Sequence, residues 1–401
     1  MSIPDITTTS PHHWKYLSEG GANIVFSYDG PRDADERFYG KVLRLRKNST
    51  AVEDEENAVL FQAEIISRLV SQKHLVDVEI VLSSPSWLEK LSSLCTNSRP
   101  TWRTDNIDLE CTKGFLASNL VSSPISAEIK PKWSFLRLGM CTCRFCMHSS
   151  CRGWTTTYCP LDIFSASPTR IKNALYALYD WWSDDAATQN NFRLFAGGSL
   201  VSPDDLLPTS QRLGLLLSSE KEVRELVVET LHASLVQPES LLLLKTLNAL
   251  QRTLDGEGIE GLASLWNRVH QKTTVGNGYF QPTLDEWKSF ITEHFERQGS
   301  SVSPPAQSDE DQLRYHILSY LLSSTFKDCS IMIMLPGLLH HSLPISSFPS
   351  RITLIDLDQK PVQRLQKWLE QDRNIQQRYT ELVSQKEAMK KECVDEWCLE
   401  R

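Results

Sequence analysis

The sequence lacks any apolar run long enough to cross a membrane. Its longest apolar stretches, such as residues 240–250, are shorter than the roughly 20 apolar residues that a spanning helix requires. The opening stretch MSIPDITTTSPHHW has no charged segment followed by an apolar one, so we expect no secretory signal and no membrane association. We therefore expect a protein of the nucleus or the cytoplasm that is not secreted.

An excess of positive charge and internal repeats are also lacking. The formal net charge is −8, which argues against a general nucleic-acid-binding protein. It does not exclude a local basic pocket, because a cleft lined with cations focuses its own field. We therefore expect a small-molecule ligand rather than direct nucleic-acid binding, and we expect a monomer.

The ten cysteines are unevenly distributed, with five of them between Cys141 and Cys159. Without a secretory signal, reduced thiols are expected rather than a disulfide framework. The spacing of Cys143 and Cys146 is found in zinc sites, and His148 is close by. In the stretch CTCRFCMHSSC, however, all candidate ligands lie within eleven residues, whereas the usual site joins two pairs across a long spacer. A loop of reduced thiols is therefore favoured over a structural zinc site.

The chain is long enough for two domains or for one large two-lobed domain. Up to about residue 110 the sequence is typical of strands and turns, and the segments YLSEGGANIVFSYDGP and RFYGKVLRLRK together predict a β-hairpin that a glycine turn precedes. From residue 111 onward, apolar residues at helical spacing predominate. The pattern predicts an α+β fold with a β-rich part at 1–110 and a larger, helix-rich part at 111–401.

The same patterns predict individual elements. Helices are predicted at 56–71, 169–182, 222–236, 238–254, 260–271 and in the charged tail at 375–401. Extended segments are predicted at 74–84 and 351–361, and a helix followed by a strand at 315–335. The stretch RQGSSVSPPAQSDEDQ, residues 297–312, is rich in serine, proline and charge, and predicts a mobile loop.

Several polar residues near predicted strand ends could serve phosphate chemistry. If strand alternation continues through Asp356 and Asp358, both side chains point to one face, about 6–7 Å apart, as oxygen ligands for Mg²⁺. Asp328 precedes another apolar segment, where a carboxylate could orient a hydroxyl or accept its proton. The Gly20–Gly21 turn, with Arg44 on the next strand, could bind phosphate. Taken alone, these acids are more typical of solvated strand ends and turns, and the glycines of an ordinary hairpin.

The segment SAEIKPKWSF, from Ser126 to Phe135, places Glu128, Lys130 and Lys132 where a strand should enter the core. It closely resembles the Glu-Ile-Lys-Pro-Lys signature of the inositol-pentakisphosphate 2-kinase family. Further blocks resemble the same family in the same order, between about residues 16 and 368. These are EGGANIVFSY, GKVLRLRK, SRPTWR, RFCMH, YCPLDIFS, QNNFRLFAGGSL, KDCSIMI and IDLDQKP.

The resemblance implies a two-lobed inositol-phosphate kinase fold, distantly related to protein kinases, with an N-lobe at 1–110 and a C-lobe at 111–401. ATP and Mg²⁺ would bind between the lobes, and the γ-phosphate would go to the 2-hydroxyl of inositol 1,3,4,5,6-pentakisphosphate to give inositol hexakisphosphate. Such a substrate carries a charge of roughly −8 to −10 and needs many converging cations. The alternative is a catalytically weak scaffold that binds inositol phosphates.

The resemblance also implies roles for individual residues. For catalysis it implies Asp328 as the base, Lys130 near the reacting hydroxyl and Asp356 as the magnesium ligand, with Asp358 as a supporting acid. The implied nucleotide contacts are Gly20, Gly21, Ala22, Asn23, Arg44, Glu128 and Met332. The implied substrate contacts are Arg103, Lys132, His148, Arg152, Asn190, Arg193, Lys360 and Arg364. Arg152 stands where the family has lysine, and Trp368 stands where it has tyrosine, which removes a hydroxyl.

Overall fold

The chain forms two antiparallel sheets and a set of helices, most of which surround the second sheet. The computed structural model describes residues 3–20, 23–32, 36–48, 55–185, 189–271, 274–276, 278–299, 308–335, 351–387 and 391–396. This mixture confirms the α and β composition expected from the sequence and is compatible with two lobes.

The first sheet comes from the N-terminal part of the chain. Its strands are β1 (Trp14–Glu19), β2 (Asn23–Tyr28), β3 (Lys41–Arg46), β4 (Val78–Leu82) and β5 (Lys113–Ser118). They follow one another across the sheet in the order β1-β2-β3-β5-β4. β2 and β3 pair antiparallel, which confirms the predicted hairpin, and β1 pairs antiparallel with the other side of β2. Ile24 and Phe26 alternate into the core of this sheet, as expected for strands with one buried face.

Strand β5 corrects the predicted boundary between the two parts. It pairs with both β3 and β4, so the first sheet includes residues up to Ser118 rather than ending at residue 110. The chain returns to this sheet because Phe115 and Leu116 bury apolar surface there.

Two helices come from the same part of the chain as the first sheet: α1 (Glu55–Glu64) and α2 (Pro85–Cys95). α1 ends earlier than the predicted residue 71, and a short 3-10 turn follows it. Phe61, Ile65 and Ile66 pack into the large core of the second part rather than beneath the first sheet. Part of the N-terminal sequence therefore belongs structurally with the helix-rich part.

The second sheet comes from strands that lie far apart along the chain. They are β6 (Ile125–Ile129), β7 (Phe192–Ala196), β8 (Ser199–Val201), β9 (Ser330–Leu335) and β10 (Arg351–Ile355). Their order across the sheet is β10-β9-β6-β7-β8. β6 is the central strand, and all its residues are buried, including Glu128. A buried carboxylate needs hydrogen-bond or charge partners, so Glu128 must find such partners within the second sheet.

The remaining helices build the larger part of the chain. They are α3 (Arg144–Arg152), α4 (Pro160–Ile163), α5 (Pro168–Asp185), α6 (Pro203–Arg212), α7 (Glu220–Leu235), α8 (Pro238–Thr253), α9 (Gly258–His270), α10 (Leu284–Gly299), α11 (Asp309–Asp328) and α12 (Arg364–Ser384). The helices predicted at 169–182, 222–236, 238–254 and 260–271 are confirmed. None of the helices in the described ranges is long and apolar enough to cross a membrane.

The mobile loop predicted at 297–312 is wrong at both ends. Helix α10 continues to Gly299, helped by an ion pair between Arg297 and Glu293 one turn apart. Helix α11 begins at Asp309, because the Ser308 hydroxyl caps it by accepting from the N–H of Asp311 at 3.1 Å. Residues 300–307 lie outside the described residues.

The helix predicted in the tail is confirmed only in its first part. Helix α12 ends at Ser384, and residues 391–395 have no regular secondary structure.

Candidate active site

One edge of the second sheet collects charged residues. At this edge β6 and β10 end while β7 and β9 begin, because neighbouring strands run antiparallel. Ile129 pairs with Phe192 and Ile331, and Ile355 pairs with Ser330. The residues just outside these strand ends therefore lie at the same edge. They are Lys130, Lys132, Asn190, Asn191, Asp328, Asp356 and Asp358.

Lys130 and Asp356 form an ion pair at this edge, with Nζ 2.7 Å from Oδ2. Burial disfavours the ammonium form, but the attraction and hydrogen bond of Asp356 outweigh it and raise the pKa of Lys130. Asp356 has a left-handed φ of 61°, so strand alternation stops at Ile355. The prediction that Asp356 and Asp358 share one face of a strand is therefore wrong, and Asp358 instead lies 3.3 Å from Arg44.

Asp328 ends helix α11 and lies between two lysines. Lys132 Nζ is 3.2 Å from its Oδ1, and Lys360 Nζ is 3.3 Å from its Oδ2. Burial would raise the pKa of Asp328, but the combined attraction of Lys132, Lys360 and Lys130 lowers it. Without ligand the carboxylate is therefore ionised, with both oxygens held by cations.

Strand register places Glu128 beside two other predicted site residues. Glu128 pairs with Arg193 on β7 and with Met332 on β9. Its Oε2 lies 3.4 Å from Arg193, and its Oε1 accepts a hydrogen bond from Ser330 at 2.7 Å. Arg193, which the family resemblance assigns to the inositide, thus contacts the acid that the resemblance assigns to the nucleotide.

Met332 belongs to a small apolar cluster between the two sheets. The cluster joins Met332 and Phe195 of the second sheet to Val76, with half-buried Leu17 and Ala117 of the first sheet packed against it. An apolar surface next to a few fixed polar groups is typical of a site for a flat organic ring.

Gly20 and Asn23 are the described residues on either side of the turn between β1 and β2. The Gly20 N–H donates to the Asn23 carbonyl at 2.9 Å, and Gly21 and Ala22 lie outside the described residues. With its amide oxygen turned toward Arg44, Asn23 accepts hydrogen bonds from Nε at 3.0 Å and Nη2 at 2.8 Å. Arg44 therefore connects this loop to Asp358 beyond the second sheet.

Arg103 lies on a loop that is anchored to the first sheet. Arg99 donates to both oxygens of Glu19, at 3.1 and 2.8 Å, and Lys47 lies 3.2 Å from Asp105. Arg103 itself is half-buried. Within the described residues, no ion pair joins it to the carboxylates at the sheet edge.

His148 and Arg152 lie together on helix α3. Arg152 Nε lies 3.3 Å from His148 Nε2. Burial, with repulsion from Arg144, Arg152 and Lys132, lowers the pKa of His148 to about 4. The imidazole is therefore neutral at pH 7 in the ligand-free protein.

Lys360 and Arg364, both implied as substrate contacts, do not lie on one helix. Helix α12 begins at Arg364, and Lys360 lies in the loop before it. Arg364 and Asn190 are exposed, and in the described part of the chain neither forms an ion pair or hydrogen bond with the acids above. Trp368 packs against Tyr320, with ring centroids 6.1 Å apart.

Sequence reasoning missed two polar residues at this edge. The Ser330 hydroxyl lies within hydrogen-bonding distance of Glu128 and Asp356, at 2.7 and 3.2 Å. Asn191 donates from Nδ2 to the Lys130 carbonyl at 2.9 Å, and its own carbonyl accepts from the Lys130 N–H at 2.8 Å. Both residues lie inside the blocks KDCSIMI and QNNFR, so the blocks themselves carried the signal.

A second candidate site is a thiol cluster formed by Cys143, Cys146, Cys159 and Cys393. Their four sulfur atoms all lie within 4.8 Å of one another, and Cys143 Sγ lies 3.7 Å from Cys159 Sγ. Zinc–sulfur bonds of about 2.3 Å in a tetrahedron separate the sulfurs by about 3.8 Å, so the cluster fits a zinc ion. The zinc ligands considered from the sequence all lay within residues 141–151, so Cys159 and Cys393 were not among them.

The segment that carries Cys393 is fixed to the rest of the chain. Asp395 accepts from the Leu136 N–H at 2.7 Å and from Arg252 Nη2 at 2.8 Å. Glu396 accepts from Arg170 Nη1 at 2.6 Å. These bonds hold the segment 391–396 against helices α5 and α8 and against Leu136, which directly follows the Lys130–Phe135 segment.

Comparisons with known proteins cover most of the chain. The sequence model of the family described as inositol-pentakisphosphate 2-kinase matches residues 16–374. A protein of that name from Cryptococcus neoformans var. neoformans is 31% identical, over 92% of this chain and 93% of its own. One from Arabidopsis thaliana is 28% identical, over 90% and 92%, and one from Danio rerio is 25% identical, over 87% and 89%.

Proposed function

The chain belongs to the inositol-pentakisphosphate 2-kinase family, and from this premise we propose that it transfers the γ-phosphoryl group of ATP to the 2-hydroxyl of inositol 1,3,4,5,6-pentakisphosphate. The product is inositol hexakisphosphate. The observation that carries this proposal is the edge of the second sheet, where Lys130, Lys132 and Lys360 surround Asp328 and Asp356. Phosphoryl transfer needs this combination of cations for the phosphates and acids for a metal and a hydroxyl.

The proposed nucleotide site lies between the two sheets, which we assign as the two lobes of a kinase distantly related to protein kinases. The adenine base contacts the apolar cluster around Met332, and Glu128 faces the ribose. The loop from Gly20 to Asn23 and the Arg44 guanidinium lie beside the phosphates. Magnesium, when bound, neutralises charge on the β- and γ-phosphates, and Asp356 is the residue that holds it.

Asp356 fits a metal ligand because its side chain is about half exposed and stands at the end of a strand. In the ligand-free protein Lys130 occupies one of its oxygens at 2.7 Å. Binding of ATP with magnesium would replace this contact and would leave Lys130 free to approach the transferred phosphate. The same pair therefore compensates charge in the free enzyme and separates for catalysis.

The inositide site uses the lysines that hold Asp328. The phosphates of the substrate attract Lys132 and Lys360, and the released carboxylate then accepts a hydrogen bond from the 2-hydroxyl. Since its pKa is lowered without ligand, Asp328 contributes by orienting the hydroxyl and accepts the proton as the bond to phosphorus forms. His148, Arg152, Arg193, Arg103, Asn190 and Arg364 are proposed to complete the phosphate contacts.

The test uses the full chain with γ-labelled ATP, Mg²⁺ and a panel of inositol phosphates. We expect label on the pentakisphosphate with a free 2-hydroxyl, and phosphorus NMR locates it on that carbon. Asp328→Asn should lose activity, while Asp180→Asn, at an exposed surface pair, should keep it. Tight inositide binding without transfer to any acceptor would refute the proposal and favour a catalytically weak scaffold.

We further propose that the thiol cluster binds a structural zinc ion. Its ligands would be the sulfurs of Cys143, Cys146, Cys159 and Cys393, which satisfy all four positions of a closed tetrahedral site. The ion would tie the beginning of helix α3, the residue before α4 and the segment 391–396 together. This role is structural, because a fully protein-ligated zinc has no open position for a substrate.

A further inference from the structure

Gln251 on helix α8 directs its side chain at two segments of the proposed active site. Its Oε1 accepts from the Ser134 N–H at 3.0 Å, and its Nε2 lies 3.3 Å from the Lys132 carbonyl and 2.9 Å from the Phe326 carbonyl. The residue is fully buried. Three of the four hydrogen-bond positions of the amide are thus occupied by backbone groups of other elements.

The two segments that Gln251 joins carry side chains that meet. Lys132 lies in the first segment, and Phe326 precedes Asp328 by two residues at the end of helix α11. Lys132 Nζ lies 3.2 Å from Asp328 Oδ1. One amide group therefore connects the backbones of a proposed substrate-binding lysine and a proposed catalytic acid.

The backbone at Lys132 needs outside support. Its φ is 70°, in the left-handed region that side chains other than glycine rarely adopt. Residues 130–134 belong to neither helix nor strand, so side chains bond to the backbone here. Tyr158 donates to the Pro131 carbonyl at 3.0 Å, and Asn248 Nδ2 donates to the Ser134 carbonyl at 2.6 Å. A conformation of this kind persists only where its surroundings determine it.

A buried glutamine needs partners for its amide group, and those of Gln251 come from two other segments of the chain. Gln251 spans the gap between the Lys132 segment and helix α11, and Ser323 of that helix donates to its backbone carbonyl at 2.8 Å. Gln251 is therefore bonded to helix α11 through both its side chain and its backbone, and to the Lys132 segment through its side chain.

We propose that Gln251 is a positioning residue that sets the spacing between the Lys132 ammonium group and the Asp328 carboxylate. It does not touch substrate, and it acts through the two backbones it joins. The inference rests on the proposed function, since the inositide and its 2-hydroxyl are the groups that this spacing orients. Because a misplacement of about 1 Å can lower a rate about 100-fold, the effect of losing Gln251 is measurable in turnover.

The first variant is Gln251→Leu, which keeps the volume and removes the three hydrogen bonds. We expect kcat/KM for the inositide to fall about 100-fold, with KM for ATP nearly unchanged. The matched control is Ser319→Ala, which removes another buried hydrogen bond between helices α11 and α8, from Ser319 to the Leu254 carbonyl. For each variant, the loss of kcat/KM is compared with the loss of melting temperature. If the two variants lose equal activity for an equal loss of melting temperature, Gln251 has only a structural role.

The second variant is Gln251→Glu, which decides the question even if the leucine variant does not fold. A protonated glutamic acid can still donate to one carbonyl, whereas the carboxylate formed at higher pH faces the carbonyl oxygens of Lys132 and Phe326. Turnover relative to wild type should therefore fall as pH rises, while circular dichroism shows an unchanged fold. A flat ratio across pH would overturn the inference. Wild type inactive on every inositol phosphate would instead refute the proposed function.

Discussion

The ammonium group of Lys130 lies 2.7 Å from the Asp356 carboxylate. In the ligand-free protein, the cation at the end of β6 therefore neutralises the acid that follows β10. In the proposed mechanism, binding of ATP with magnesium would separate these two groups. Ligand binding and the state of this pair are thus linked.

Asp356→Asn should lower turnover tens- to thousands-fold. Losing a charged partner in a site of this kind costs about 2–5 kcal/mol, which corresponds to tens- to thousands-fold in rate. We expect the loss in kcat rather than in inositide affinity, as measured by steady-state kinetics and isothermal titration with the inositide alone. Asp180→Asn is the control. Full activity of Asp356→Asn with Mg²⁺ would contradict the assignment of the metal ligand.

Lys132→Ala should raise KM for the inositide more than KM for ATP. Lys132 reaches Asp328 in the free protein and is proposed to bind a substrate phosphate once the inositide arrives. Separate titrations of the two substrates measure the difference. Lys172→Ala, which removes a surface pair with Glu229, should change neither constant. An equal rise of both constants would show that Lys132 does not act on the inositide.

His148 should make the wild type less stable at mildly acidic pH. Its pKa is about 4 in the folded protein and about 6.5 when unfolded, so between these values unfolding takes up a proton and stability falls as pH falls. Discounted for partial exposure, the difference between pH 7.5 and pH 5 is about 1 kcal/mol. Urea unfolding of wild type and His148→Gln at both pH values measures it.

The control for this experiment is His12→Gln, because His12 is exposed and lies just before strand β1. It should keep the pH dependence of the wild type. If His148→Gln also keeps that dependence, the imidazole is not neutral in the folded protein.

Removal of zinc should destabilise the fold. Elemental analysis of the purified protein should find one zinc per chain, and a strong chelator should lower the melting temperature. Cys393→Ser should lower both the zinc content and the melting temperature, because one of four ligands is lost. Cys111→Ser, outside the cluster, is the control. The proposal would be refuted if the purified wild-type protein contained no zinc and a chelator left its melting temperature unchanged. The thiols would then need no metal.

The sequence identified charged residues that meet at one sheet edge, and their roles in the site stay predictions. Lys130, Asp328 and Asp356 were assigned from short blocks, and the structure brings them together because each lies at the end of a strand or helix at one sheet edge. The pairing that creates this edge joins β6 to β9, which are far apart along the chain. No local pattern encodes such pairing.

Other features depended on contacts that the interpretation of the sequence did not take into account. Cys393 completes the thiol cluster from a position 250 residues after Cys143. Asp309 and its acidic neighbours have the composition of a disordered stretch, yet they begin a helix because Ser308 caps it. The left-handed φ of Asp356 ended an alternation that the sequence alone would extend. The thiol cluster depends on a contact between distant parts of the chain, whereas the cap of helix α11 is a local bond from the Asp311 N–H to the Ser308 hydroxyl.

The position of Cys393 has a consequence for how the protein is made. A ribosome adding roughly 5–20 residues per second needs on the order of 10–50 s to cover the 250 positions after Cys143. During that time the earlier thiols have left the ribosome without their last partner. The four-sulfur cluster can therefore form only after residue 393 has been added and has left the ribosome, when Cys143, Cys146 and Cys159 meet their fourth partner.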